Sequence, residues 1–127
     1  MIGGKVLDPS AVALYVQGSV GMEAWLATAR ATGLVLVLPS LVLAEVQAVF
    51  PEAEGRFGRL LADSQVLHLG LDAKDASRVA RLLGDSGTWD GTAGQVILVA
   101  RQRGWPVLTT DPERLLRVAP DMDVELL

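Results

Sequence analysis

The sequence predicts a single α/β domain over residues 1–127, with a mainly parallel central sheet and helices on both faces. Three observations carry this expectation. Short aliphatic runs of strand length alternate with longer segments of helical spacing. The run Leu34 to Leu38 is continuously aliphatic, the pattern of a strand buried on both faces. No internal repeat, linker or low-complexity tract divides the chain.

Lys5-Val6-Leu7 is a short first strand, and Pro9, just beyond Asp8, suits the first turn of a helix. Helices are expected over residues 10–17 and 20–32, broken by Gly18 and Gly33. After the strand Leu34 to Leu38, Pro39-Ser40 starts another helix, with Ser40 as its expected N-cap. Pro51 ends or bends that helix, and a further one runs to Ala62. Gln65 to Leu69 is a third strand and Asp72 to Leu83 a helix, with Ala76, Val79, Ala80 and Leu83 on one side. Gly84 to Gly91 is rich in Gly, Ser and Asp and is expected to be a loop. Thr92 to Arg103 is an apolar helix stopped by Gly104. Pro106 to Thr109 forms a strand, Pro112 to Val118 a short helix, and Val124 to Leu127 a last strand.

Half of the residues are apolar and a fifth are charged, so the chain can bury a core. It has no cysteine, which excludes thiolate metal sites and thiol nucleophiles and fits a cytoplasmic protein. The N-terminus lacks a basic segment followed by a long apolar run, so no secretory signal is expected. The greasiest stretch, Gly33 to Phe50, is interrupted by Pro39, Ser40, Glu45 and Gln47 and is not a membrane span. The net charge of −4 argues against a broad electrostatic grip on nucleic acid. The arginines nevertheless fall in pairs, among them Arg78 with Arg81 and Arg114 with Arg117. Any one pair reads first as a solvated helix face, while an acidic metal site with arginines at its rim would also give an acidic protein.

Four carboxylates fall at strand ends and helix starts, where an open α/β sheet gathers its ligand-binding residues. Asp8 ends the first strand, and Glu45 lies inside Leu41-Val42-Leu43-Ala44-Glu45-Val46. Asp90 opens the last long helix, and Asp111 follows Val107-Leu108-Thr109-Thr110. Four converging acids repel one another unless a divalent cation neutralises them, which points to a metal-dependent hydrolase. Other features carry less. His68 is the only histidine, so a two-histidine mechanism is excluded and a Ser-His-Asp triad disfavoured. The glycines at 84, 87, 91 and 94 match no phosphate-loop or dinucleotide fingerprint. Trp25 and Trp105 suit a core or a dimer interface, whereas Trp89, beside Asp90, suits a substrate contact. A phosphoacceptor receiver domain also gathers acids at strand ends. It wants an acidic pair after the first strand and a lysine after the last, and neither Lys5 nor Lys74 is so placed.

Gln102-Arg103-Gly104-Trp105-Pro106-Val107-Leu108-Thr109-Thr110-Asp111 closely resembles the C-terminal signature of PIN domains. Val6-Leu7-Asp8-Pro9-Ser10 resembles their N-terminal signature, and Leu38-Pro39-Ser40-Leu41-Val42-Leu43-Ala44-Glu45-Val46 their second motif. Each motif is weak alone, but their order and spacing cover almost the whole chain. Within the family the likeness is greatest to the toxins of VapBC toxin–antitoxin pairs. The resemblance implies an Mg²⁺- or Mn²⁺-dependent ribonuclease acting on RNA, a homodimer, and a cognate antitoxin whose C-terminal segment covers the acidic groove. Carried over by motif, Asp8, Glu45 and Asp111 are the site acids, with Ser10 and Thr109 as hydroxyls that hydrogen-bond within the site. The usual third acid of these toxins falls at position 93, which here is Ala93. Asp90, about one turn earlier, either supplies that carboxylate or only caps its helix. In the second case the domain is a catalytically weakened module that binds RNA or a protein partner.

Overall fold

A computed structural model describes residues 3–127. Five strands form one sheet in the order β3-β2-β1-β4-β5, and every pairing in it is parallel. The strands are β1 (Gly4–Leu7), β2 (Val35–Pro39), β3 (Val66–Leu69), β4 (Val107–Thr109) and β5 (Val124–Leu126). The helices are α1 (Pro9–Val16), α2 (Val20–Thr32), α3 (Ser40–Val49), α4 (Glu54–Ala62), α5 (Ala73–Ser86), α6 (Gly91–Arg103) and α7 (Pro112–Leu116). A 3-10 turn, Pro51–Ala53, joins α3 to α4, so Pro51 bends the chain as the sequence suggests. None of these helices is long and apolar enough to cross a membrane.

Val6 and Leu7 are adjacent in β1 and both fully buried. Neighbouring strand residues point to opposite faces, so both faces of the sheet are covered. Leu36, Val37 and Leu38 of β2 show the same burial, which is why that run is aliphatic without alternation. The edge strands β3 and β5 are only partly buried. Helix α6 is buried at every position from Ala93 to Ala100, and Gly94 lets it lie close to α5. A Cβ at Gly94 would stand 2.6 Å from Val79 Cγ1. Gly33 and Gly104 end α2 and α6 in the left-handed conformation, with φ of 78° and 68°, as the sequence leads one to expect.

Two local expectations are corrected. Helix α5 continues through Gly84 to Ser86 and is closed by Gly87, at φ 71°, so the connection to α6 is only residues 87–90. An exposed glycine costs a helix about 1 kcal/mol, too little to end one that packs against α6. Ser40 is the first residue of α3, not its cap. Its hydroxyl instead donates to Leu69 O and contacts His68 Nε2, tying α3 to the end of β3.

The order of strands determines where a site can form. From β1 the chain builds outward through β2 to β3, then crosses back to lay β4 on the other side of β1. The reversal lies between β1 and β4, and crevices at such switch points, outside the carboxyl ends of the strands, are where open α/β sheets bind ligands.

Candidate functional site

Leu7 pairs with Leu108, so the residues that follow, Asp8 and Thr109, face each other across the switch point. Asp8 caps α1: its Oδ1 accepts the Ala11 backbone N–H at 3.0 Å. Pro9 at the first helical position supplies the required backbone angle without a donor to satisfy. The Ser10 hydroxyl donates to the same Oδ1 at 2.7 Å, and the Thr109 hydroxyl donates to Oδ2 at 2.5 Å.

Each hydroxyl is itself oriented from behind. Ser10 Oγ accepts the Thr110 N–H, and Thr109 Oγ1 accepts the Asp111 N–H, both at 2.8 Å. Two backbone amides of the β4–α7 turn thus fix two hydroxyls, which fix one carboxylate. Asp8 is 1% exposed, and burial pushes its carboxyl above the usual range, against the opposing hydrogen bonds from Thr109, Ser10 and Ala11.

Asp111 stands at the start of α7 with an exposed side chain that makes no capping bond. Asp8, Ser10, Glu45 and Asp111 line one cavity of about 210 Å³ together with Arg114. Ala13, Val46, Val49 and Phe50 make its apolar wall. Three of the four sequence-nominated acids therefore share a single hollow. Glu45 reaches it from the middle of α3.

Asp90 does not line that cavity, but it is tied to it. Its Oδ1 caps α6 by accepting the Ala93 N–H at 3.1 Å. The same carboxylate receives Arg114 Nε at 2.6 Å and Nη2 at 2.9 Å. Arg114 also donates Nη1 and Nη2 to the two oxygens of Glu45, at 2.5 and 2.7 Å. One guanidinium thus holds both acids by paired, charge-assisted hydrogen bonds. Arg114's hydrogen bonds are the main reason that the Glu45 and Asp90 carboxyls lie below their ordinary values. Capping and a link to the site are not exclusive for Asp90: Oδ1 caps α6 while Oδ2 accepts Arg114 Nε, joining Asp90 to the guanidinium that lines the cavity.

The donors fit a hard divalent cation in kind, since carboxylate oxygens are what Mg²⁺ and Mn²⁺ take. In arrangement, no three acidic side chains among the described residues form a ready cluster for an ion. Glu45 and Asp90 face Arg114 instead. Position 93 contributes nothing: Ala93 is 1% exposed and packed in the core.

Two contributors escape the sequence reading. Arg114 belongs to the site and not to a solvated helix face. Gln95, fully buried on α6, accepts the Leu41 N–H at 2.9 Å and so anchors the first turn of α3, the helix that carries Glu45. A lone amide inside the apolar run of α6 was its only signal. Trp25 and Trp105 pack against the core as partly buried residues, whereas Trp89 is 97% exposed at the entrance to α6.

No protein-family model and no curated protein matches the sequence. Solved structures do match. The structure of VapBC2 from Rickettsia felis, bound to a DNA fragment from its promoter, aligns at 16% identity and a TM-score of 0.71, covering 100% of this chain and 99% of that one. The structure of FitAB bound to the IR36 DNA fragment aligns at 17% identity and a TM-score of 0.64, covering 99% and 94%. VapC20 from Mycobacterium tuberculosis, a sarcin-ricin loop cleaving toxin, aligns at 17% identity and a TM-score of 0.61, covering 80% and 85%. Identities this low carry the fold alone: the chain shares the parallel α/β architecture of these structures, and its chemistry must be read from the site.

Proposed function

We propose that this chain is a metal-dependent endoribonuclease, the toxin of a type II toxin–antitoxin pair, which hydrolyses RNA phosphodiester bonds. The observation that carries the reading is Asp8. A buried carboxylate, oriented by two hydroxyls at the switch point of a parallel sheet, opens onto a cavity shared with Glu45 and Asp111. Burying a charge there is costly for the fold alone and useful for holding a cation.

Asp8, Glu45 and Asp111 would hold Mg²⁺ or Mn²⁺, with Asp90 at the margin. The ion's chemistry is to activate water and to offset charge on the phosphate. Ser10 and Thr109 keep Asp8 in one rotamer. The exposed Trp89 offers a face on which an RNA base can stack.

The apolar wall beside the acids suits a protein partner. Val49 is 66% exposed next to Val46 and Phe50, so an antitoxin segment could bury apolar side chains there and present a basic one to the carboxylates. VapBC2 and FitAB are named as pairs, which supports looking for such a partner. VapC20, named for cleaving the sarcin-ricin loop, supports RNA as the substrate class. A homodimer and a cytoplasmic setting belong to the same proposal.

One observation favours a second reading, a weakened module that binds without cutting: two of the four acids are already paired with the single charge of Arg114. Incubating purified protein and RNA with Mn²⁺, and then with chelator, separates the two. Chelator-sensitive cleavage that Asp8→Asn abolishes supports the nuclease. Binding without cleavage supports the module, and cleavage that survives chelation removes the metal mechanism.

A further inference from the structure

Among the described residues, Arg114 is the only positively charged one lining the cavity. It lies one turn beyond Asp111 at the start of α7, on the same side of that helix. Four of its five N–H donors are spent on Glu45 and Asp90, at 2.5 to 2.9 Å. Each carboxylate is engaged through both oxygens, so neither can turn fully to another ligand while the guanidinium stays. The ion pairs are only partly exposed, which limits screening by water and salt. Meanwhile the helix that should bring a further acid presents Ala93.

We infer that Arg114 is an internal counter-ion that competes with the divalent cation for Glu45 and Asp90, so this site takes up metal only by displacing a guanidinium. The inference rests on the proposed nuclease reading in treating these acids as a cation site. Two cations of like charge cannot share the same pair of carboxylates closely, and the tethered one never diffuses away. Metal affinity is accordingly set by α7 as well as by the acids. Arg114 is a positioning residue in this scheme: it acts through Glu45 and Asp90.

The test is a calorimetric titration of the full chain with Mn²⁺ alone, without RNA, for wild type, Arg114→Gln and Arg114→Lys. Competition predicts binding about tenfold or more tighter in Arg114→Gln. Lysine keeps the charge but loses the four-point fork, so Arg114→Lys should lie between. Adding Glu45→Gln to Arg114→Gln should cancel most of the gain, because the freed carboxylate is then gone. Equal or weaker binding in Arg114→Gln, a gain that survives Glu45→Gln, or no Mn²⁺ binding by any form overturns the inference. Thermal melting checks each variant, and if Arg114→Gln does not fold, tighter or unchanged binding by Arg114→Lys decides. RNA is absent from the titration, so a wild type that cuts no RNA fails the nuclease reading without touching this comparison.

Discussion

The Thr109 hydroxyl donates to Asp8 Oδ2 at 2.5 Å while accepting the backbone N–H of Asp111 at 2.8 Å. One side chain therefore couples the acid that ends β1 to the acid that follows β4. Thr109→Val keeps the volume and strands both partners. It should cost about 1–3 kcal/mol, the penalty for leaving buried polar groups unpaired. RNA cleavage should fall at least about tenfold, because Asp8 loses its fixed orientation. Thr109→Ser keeps both bonds and should retain most of the activity. A Thr109→Val protein with wild-type melting and cleavage would show that the bond is idle.

Asp8→Asn separates stability from function. Burial raises the folded pKa of Asp8 above its ordinary 3.8, so its favourable contribution is complete below that value and is lost as pH rises. At neutral pH the ionised form opposes folding, and an amide removes that opposition. Asparagine also caps helices well, so the Ala11 N–H keeps its acceptor. The variant should cut no RNA yet melt at or above the wild-type temperature near pH 7. A marked drop in melting temperature would mean that the carboxylate serves the fold, not a ligand.

Arg114 gives the opposite pH signature. It holds the Glu45 and Asp90 carboxyls below their ordinary values of 4.5 and 3.8. The stability from these pairs is present above those values and is lost as pH falls through the lowered folded ones. Arg114→Gln should thus be less stable than wild type at pH 7, with the gap narrowing below about pH 4 as the acids protonate. Denaturant melts at several pH values check this. A gap that stays constant with pH would rule out ion pairing as its source.

For Asp90, asparagine again preserves the cap to the Ala93 N–H and removes only the charge. Asp90→Asn should leave the melting temperature within a few degrees and lower Mn²⁺-dependent cleavage. Wild-type cleavage rates in this variant would restrict Asp90 to ending the 87–90 turn.

Asp8 and Asp111 were legible in the sequence because strand-end geometry is local: an aliphatic run, then an acid, reads the same before and after folding. The parallel sheet was legible for a similar reason, since Leu36, Val37 and Leu38 can be continuously apolar only if both faces are covered. Arg114 was not. Its spacing from Arg117 describes any solvated helix, and its real partners, Glu45 on α3 and Asp90 at the cap of α6, lie 69 and 24 residues away. Whether an arginine meets water or two carboxylates depends on how a five-residue helix docks, which no local pattern encodes. The extent of α5 was missed because Gly84 weakens a helix by less than packing against α6 restores.

Gln95 supplies the last expectation, on the scaffold that delivers Glu45. Its Oε1 takes the Leu41 N–H, one of the orphan donors at the start of α3, where Pro39 offers no side-chain cap. Its Nε2 reaches Leu69 O and Gly70 O at 3.4 and 3.5 Å, so a single buried amide joins α6, α3 and the end of β3. Gln95→Leu fills similar space but leaves the Leu41 N–H unpaired inside the protein, at a cost of about 1–3 kcal/mol. If the amide sets where α3 begins, Glu45 should shift relative to Asp8 and Arg114, and cleavage should fall beyond what the stability loss explains. Gln95→Glu keeps an acceptor for Leu41 but turns the donor side toward two carbonyls. It should therefore be destabilised more than Gln95→Leu at pH 8, where the charge is unpaired. Hydrogen exchange at the Leu41 amide is the direct readout. It should speed up sharply in Gln95→Leu, and unchanged protection there would mean that α3 holds its start without Gln95.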